Sequence, residues 1–558
     1  MKEWIRNGVF VLILLLIAIF FWRLWVPEFT LFESPNWDES DRARDAYVLF
    51  EGFKNLNPVP AIQQLLFFET WGPMFAFVAQ IPLVFFGLQA HSLSLVSFFA
   101  FFVASFGFLL CAQSKLGWNR AFAIAVFSFF WIVGFERFGP YWVNFMIESW
   151  AIVGWIGIAL SGALLHAPLL VAASWVLFAT KYQYFPLFIL ASGTYLLINR
   201  RSKLLGFLKE LLAPHWAKLI FALISMAVIH IGIMKTLGPI YGEPGWDEPR
   251  ALRNPVHVAF ILTCVLLFIR RRVFFRHLIE REWEASYVRY FLWPTSLLMA
   301  FPWPNRWAGV MLTQNFQAVK HSFIEILAIY AKEMKETWQL PAVAFSIVVI
   351  LCLAGLALSV SRLKREKDLA TQAVFVALIF LVQIFTLLFA VNNVQGRFAV
   401  VVLASVPIGL FAYVLRSTPG IWGRAGALAV SVLLLILLAF TRYFEPKRFF
   451  FGAMSEHVSR PFKEHPGLFP LDKSLGDLMQ GATEKAHVRL GIIGPQREAD
   501  WDMPMRFWLV RHRIQTGQDV EASYFKRSED FCAEAKAKQL DFLIEAVGDS
   551  WQKVDCGS

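Results

Sequence analysis

GVFVLILLLIAIFFWRLWV, from Gly8 to Val26, is followed by NWDESDRARD, from Asn36 to Asp45. The first stretch is a single apolar run, long enough to cross a bilayer as a helix. The second places four carboxylates and two arginines within ten residues, just past the end of that run. Acidic pairs at a membrane–water boundary suit proton abstraction or cation binding. A plain connecting loop has no need of so many.

The composition agrees with a chain built for lipid. Of 558 residues, 57% are hydrophobic, 16% aromatic and only 17% charged, where a soluble chain carries roughly 25% charged residues. The first apolar run resembles the core of a signal peptide. However, Phe20-Phe21-Trp22-Arg23-Leu24-Trp25 offers no small-residue cleavage site, so a retained anchor is expected. Cys111, Cys264 and Cys352 lie in apolar runs and read as packing residues. Cys532 and Cys556 fall in a polar tail, where a bridge requires an oxidising compartment. The net charge of +11 does not point to nucleic acid, because the basic residues cluster in short connectors between apolar runs.

The spacing predicts about thirteen spanning helices, at 8–27, 91–112, 119–135, 147–165, 167–179, 184–198, 217–235, 255–270, 288–303, 340–361, 370–391, 398–415 and 425–441. With the N-terminus in the cytoplasm, the inner connectors hold Lys115 and Arg120; Arg200, Arg201, Lys203, Lys209 and Lys218; Arg270, Arg271, Arg272, Arg276, Arg281 and Arg289; Arg362, Lys364, Arg365 and Lys367; then Arg416 and Arg424. Only the turn near His166 lacks Lys and Arg. This bias sets the orientation and puts the C-terminal tail outside. The chain therefore reads as a membrane domain, 1–441, and an extracytoplasmic domain, 442–558.

Pro73 to Gly87 is apolar but short and contains Pro82. Counting it as a span would move Arg200 to Lys218 outside, so it is placed as an interfacial helix in the first outer loop. Phe316 to Met334 reads as an amphipathic helix on the outer leaflet. Runs 167–179 and 184–198 form a helix pair with Lys181 at the outer tip. The tail shows two buried-strand patterns, at 488–494 and 541–545, between polar helical stretches. That is the pattern of a small α/β domain.

Each candidate for chemistry has a plainer explanation. Asp38 and Glu39 follow Ser34 and Asn36, and acids in the first turn of a helix are favoured by its macrodipole. Glu148 opens the fourth span among apolar neighbours, where a carboxylate is costly unless paired or used; a pair with Arg137 would also explain it. Lys181 and Arg397 are outer-face cations that either snorkel to headgroups or clamp a phosphate. Trp37, Tyr182 and other outer aromatics offer faces for sugar stacking, with an interfacial belt as the alternative.

With these residues placed, the chain resembles the GT-C class of membrane glycosyltransferases, among them the protein O-mannosyltransferases and aminoarabinose transferases. Trp37-Asp38-Glu39 stands where that family carries an Asp-Glu or Asp-Asp pair. Glu69-Thr70-Trp71-Gly72-Pro73-Met74 is similar to its Pro-Pro-Leu segment and interfacial helix, with a single proline here. Glu148 matches a second acid, and Arg397-Phe398 an Arg-Tyr before a late span. The resemblance implies sugar transfer from a polyprenyl-phosphate donor to a lipid, glycan or protein acceptor at the outer face of the inner membrane. It implies Asp38 as general base, Glu39 as loop or cation support, and Glu148 orienting a sugar. Arg397 and Lys181 would then steady the departing phosphate. A divalent metal is allowed but not required.

Two rivals make different demands. A flippase or transporter for a lipid-linked sugar calls for ionisable groups or broken helices near mid-membrane. An O-antigen ligase or polymerase concentrates its catalytic residues in one large late loop. Reporter fusions in the Trp37 loop and in the tail are expected to read as extracytoplasmic; a cytosolic signal from either overturns the orientation.

Overall fold

In the computed structural model the described residues are 37–63, 72–88, 107–133, 148–211, 263–300, 322–337, 367–389, 405–418, 420–438, 487–494, 516–526, 531–547 and 550–556, with short pieces between, such as 7–13, 95–97, 401–402 and 512–514. The helices are α1 (Trp37–Lys54), α2 (Met74–Phe86), α3 (Phe108–Leu116), α4 (Trp118–Val133), α5 (Glu148–Leu164), α6 (Ala167–Thr180), α7 (Phe185–Asn199) and α8 (Arg201–Leu211). They continue as α9 (Arg271–Leu278), α10 (Glu282–Tyr287), α11 (Trp293–Ala300), α12 (Phe323–Thr337), α13 (Lys367–Phe389), α14 (Ser405–Ser417) and α15 (Gly420–Leu438).

The bundle is arranged around α5. Every side chain from Ser149 to Leu164 is buried, and a helix that is apolar all round belongs in the middle of a bundle. It packs against α3, α6, α13 and α14. Small residues let α6 come close, as in membrane helix pairs generally. A Cβ at Gly154 would stand 2.5 Å from Leu177 Cγ, and one at Gly157 2.7 Å from Ala173 Cβ. The hairpin between α5 and α6 is set locally. Leu165 takes a left-handed φ of 53°, Pro168 sits in the first turn of α6, and His166 Nδ1 accepts from the Leu169 N–H at 3.1 Å.

Among the described residues, only α13 contains a window, Thr371–Leu388, long and apolar enough to span a membrane; Met74–Phe86, Ser149–Leu164, Ala167–Thr180, Ser405–Ser417 and Arg424–Leu434 are shorter apolar helices. The expected runs at 217–235 and 340–361 lie almost wholly outside the described residues. The span expected at 288–303 opens with a π-helical turn, Val288–Leu292, and α15 starts at Gly420 rather than 425. Of the amphipathic stretch expected from Phe316, the structure describes a helix from Phe323 on.

The connectors segregate. At one end, Glu284 is buried and accepts from the Tyr195 hydroxyl at 2.5 Å, from Arg200 Nη2 at 3.1 Å and from the backbone N–H groups of Glu280 and Arg281 at 2.9 and 3.1 Å. Arg200 also reaches Glu280, which pairs with Lys203, and Arg276 pairs with Glu210. The Lys203 ammonium holds the Glu280 carboxyl below its ordinary range, helped by Arg200 against some desolvation. This link is therefore complete above the ordinary carboxyl value and weakens as the pH falls through the lowered one. Arg120 donates to the Thr418 carbonyl at 2.6 Å and Arg416 to that of Ala163 at 2.9 Å. At the other end, Gly72 N–H donates to the Thr180 carbonyl at 3.1 Å. Tyr330 of α12 donates to the Leu387 carbonyl at 3.2 Å. Each of these contacts joins connectors expected on the same side of the membrane.

The tail holds a four-stranded sheet of β1 (His487–Gly494), β2 (Asp519–Lys526), β3 (Phe542–Val547) and β4 (Ser550–Lys553), in the order β2-β1-β3-β4. β2, β1 and β3 are parallel and β4 is antiparallel. α16 (Phe531–Ala537) lies between β2 and β3 in the chain, and a Cys532–Cys556 disulfide ties it to the residues after β4. The sequence pattern points to β1 and β3, both rich in buried Val, Ile and Leu. It misses β2, whose Asp519 and Glu521 are exposed, and β4, which is short and polar.

Glu284→Ala strips the buried Arg200 of a main partner and Tyr195 of its acceptor. It is expected to lower stability by about 3–5 kcal/mol, with Glu284→Gln costing less, as read by thermal unfolding in detergent. A wild-type melting point for Glu284→Ala would show that the network contributes nothing.

Candidate functional site

At the end opposite the arginine-rich network, two helices start with carboxylates. α1 begins at Trp37, which places Asp38 and Glu39 in its first turn, and α5 begins at Glu148. Helix N-termini present unpaired N–H groups and the positive end of the macrodipole. Both positions therefore favour a negative charge, whether it caps the helix or acts on a substrate. Arg137 and Arg397 lie outside the described residues, as do the side chains of Trp37, Asp38, Glu39 and Glu148.

The backbone sets the first turn of α5 beside the α6 turn and links the middle of α1 to the same end of the bundle. α5 and α6 run antiparallel, with Gly154 against Leu177 and Gly157 against Ala173; the same register continued outward sets residue 148 level with the turn at 181–184. The N-terminal half of α1 joins through a different route. Its Ala43, Ala46 and Tyr47 share an apolar cluster with Phe75, Ala79 and Leu83 of α2 and with Leu93 and Val96. Next to Val96, the Ser97 hydroxyl meets that of Ser149 in α5 at 3.5 Å.

Lys181 ends α6 and precedes a 3-10 turn, Tyr182–Tyr184. It is 6% exposed. Snorkelling into headgroups does not describe this lysine, because its side chain turns into the protein. The end of a helix is where a cation is favoured. Tyr182 is 2% exposed, with its ring edge-on to Phe178 at 5.1 Å. It therefore packs as a wall of the bundle and keeps no open face for a sugar.

Gly72 fastens the chain entering α2 beside this turn. A Cβ there would stand 1.9 Å from the Ala179 carbonyl oxygen, so no larger residue permits the Gly72–Thr180 hydrogen bond. That helix, α2, then turns Phe75, Ala76, Ala79, Pro82 and Leu83 inward and leaves Ile81, Val84, Phe85 and Phe86 exposed. That division suits a helix lying on an apolar surface.

The burial of one charged group in the acidic stretch is not legible as a separate candidate from sequence. Asp45 accepts from Arg44 Nη2 at 2.9 Å and lies 3.8 Å from Arg42 Nη1. Arg42 is 7% exposed and Asp45 5%. Buried ions persist only when paired. The available signal was Ala43, Ala46 and Tyr47 at helical spacing, which turns the Arg42–Asp45 face inward too. Among the described residues, no group of three His, Cys, Asp or Glu side chains is placed to hold a metal ion.

No protein-family model matches the chain, and no curated protein matches it. Among solved structures, the chain is similar to ArnT from Cupriavidus metallidurans bound to undecaprenyl phosphate, at 11% identity over 98% of each chain, with a TM-score of 0.44. It is also similar to the Archaeoglobus fulgidus oligosaccharyltransferase in its apo form, at 11% identity over 90% of this chain and 64% of that one, with a TM-score of 0.45.

Gly72→Ala is expected to part the chain entering α2 from the α6 turn and to lower the melting temperature. Gly193→Ala, in α7 with open space around its Cβ position, should melt like the wild type. Equal melting of the two variants would show that the close approach is unimportant.

Proposed function

We propose that the chain is an inverting glycosyltransferase. It moves a sugar from a polyprenyl-phosphate-linked donor to an acceptor hydroxyl at the outer face of the cytoplasmic membrane. What supports this reading is that the helix opened by Glu148 starts level with a buried lysine, away from the arginine-rich connectors, and that the helix bearing Asp38 and Glu39 is joined to the same end of the bundle through Ala43, Ala46 and Tyr47. The segregation of the connectors supports N-in, tail-out topology, and the Cys532–Cys556 disulfide suits an oxidising compartment.

The chemistry follows from the residue types. Asp38 takes the proton of the acceptor hydroxyl as the oxygen attacks the anomeric carbon. The bond from that carbon to the phosphate oxygen breaks on the opposite face, so configuration inverts and the lipid phosphate leaves with the electron pair. Arg397 offers bidentate donors to that phosphate, and Lys181 adds a point charge. Glu148 orients a sugar at the start of α5. Glu39 supports the loop. A transporter is disfavoured by the described residues, whose buried charges, Arg42, Asp45, Lys181, Arg200 and Glu284, belong to the two ends of the bundle.

Asp38→Asn is expected to lower turnover by about 10²–10⁴-fold and Arg397→Ala by about 10²–10³-fold, measured as polyprenyl phosphate released from labelled lipid-linked sugars in membranes. Wild-type turnover in both variants would sink the assignment.

A further inference from the structure

The tail holds the helix that carries the acidic motif. Residues 512–514 are helical, and Val510 and Ile514 stand four apart, so they share a face. Both pack into the apolar cluster made by Ala43, Ala46 and Tyr47 of α1 with Phe75 and Leu83 of α2, and Ile514 is buried there. Between them, Arg513 grips Glu51 of α1 with two parallel hydrogen bonds, Nε to Oε1 at 3.0 Å and Nη2 to Oε2 at 2.5 Å. Lys54, in the last turn of α1, donates to the Ile514 carbonyl at 3.3 Å.

This contact differs from an ordinary surface ion pair. A lone exposed pair contributes little, but a bidentate arginine fixes direction as well as distance. Here it is flanked by two apolar anchors on one side and a lysine on the other. The ion pair lies toward the C-terminal end of α1, with Asp38 about 20 Å from Glu51 at 1.5 Å per residue, while the apolar anchors reach back to Ala43, Ala46 and Tyr47. A helix held at one end over its side-chain face carries that orientation to its other end.

We infer that the C-terminal segment is a clamp on α1, in which Arg513 and Ile514 are positioning residues for the acidic motif. The catalytic part of this inference rests on the glycosyltransfer reading; the mechanical part does not. The full-length protein in detergent is compared as wild type, Arg513→Glu, Glu51→Arg, Ile514→Ala and the Glu51→Arg/Arg513→Glu exchange. Two quantities are read: hydrogen exchange of the amides at 42–50, and polyprenyl phosphate release as separate kcat and KM for the donor.

Each single variant should exchange about tenfold faster over 42–50 and lose about tenfold in kcat with donor KM unchanged. The charge exchange should recover both. A merely structural contact would not give this kcat-against-KM split or the recovery. Unchanged exchange in the single variants overturns the clamp, and faster exchange with full turnover overturns the positioning role. If the wild type releases no polyprenyl phosphate, the glycosyltransfer reading falls, and the exchange measurement alone decides the clamp.

Discussion

The packing of α5 on all sides is the constraint on which the rest depends. A helix with no polar face has to be surrounded, and the helices that surround it can come near only where residues are small. Gly154 and Gly157 meet that need on the α6 side. Once α6 is close and antiparallel, its last turn must lie beside the first turn of α5. The position of Lys181 relative to residue 148 is therefore a result of core packing. No attraction between the charges has to be invoked to bring those positions together.

The two ends of the bundle handle charge in different ways. At the α8–α9 end, Glu284 is saturated by a hydroxyl, a guanidinium and two backbone N–H groups. A carboxylate so fully used has no capacity left for a substrate and reads as a structural tie between connectors. At the opposite end, the acids open helices, and the nearby backbone is drawn tight by Gly72 against the α6 turn. A tie there needs no side chain, which leaves side-chain chemistry available for a ligand. The Arg42–Asp45–Arg44 group sits between these extremes, buried within α1 and one turn beyond the acidic pair.

Legibility from sequence followed how local the cause was. The α5–α6 hairpin, the short apolar helix α2 and strands β1 and β3 were readable because hydrophobic period and turn residues act within a few positions. β2 was not readable, since its acidic residues face solvent at the edge of the sheet and hide the alternation beneath. Lys181 was visible as a cation at the turn after α6, yet its burial was not, because an aliphatic stem with a charged head supports either direction. Arg42 and Asp45 were counted in the charged stretch after the first apolar run, with nothing to set them apart from its other charges. Their burial follows from the packing of α1 on α2 and on 93–96, at which the apolar spacing of Ala43, Ala46 and Tyr47 only hints.

By itself, the sequence determined a helical, strongly apolar chain whose basic residues cluster in short connectors, separate from the acidic pair. Those properties depend on composition and order, and transfer into lipid acts on each segment separately. Tertiary structure alone decided which helix lies at the centre, that the tail grips the far end of α1, and that Lys181 points inward. These depend on which surfaces meet, and contact between residues hundreds of positions apart, such as Glu51 and Arg513, is set by shape and charge in three dimensions.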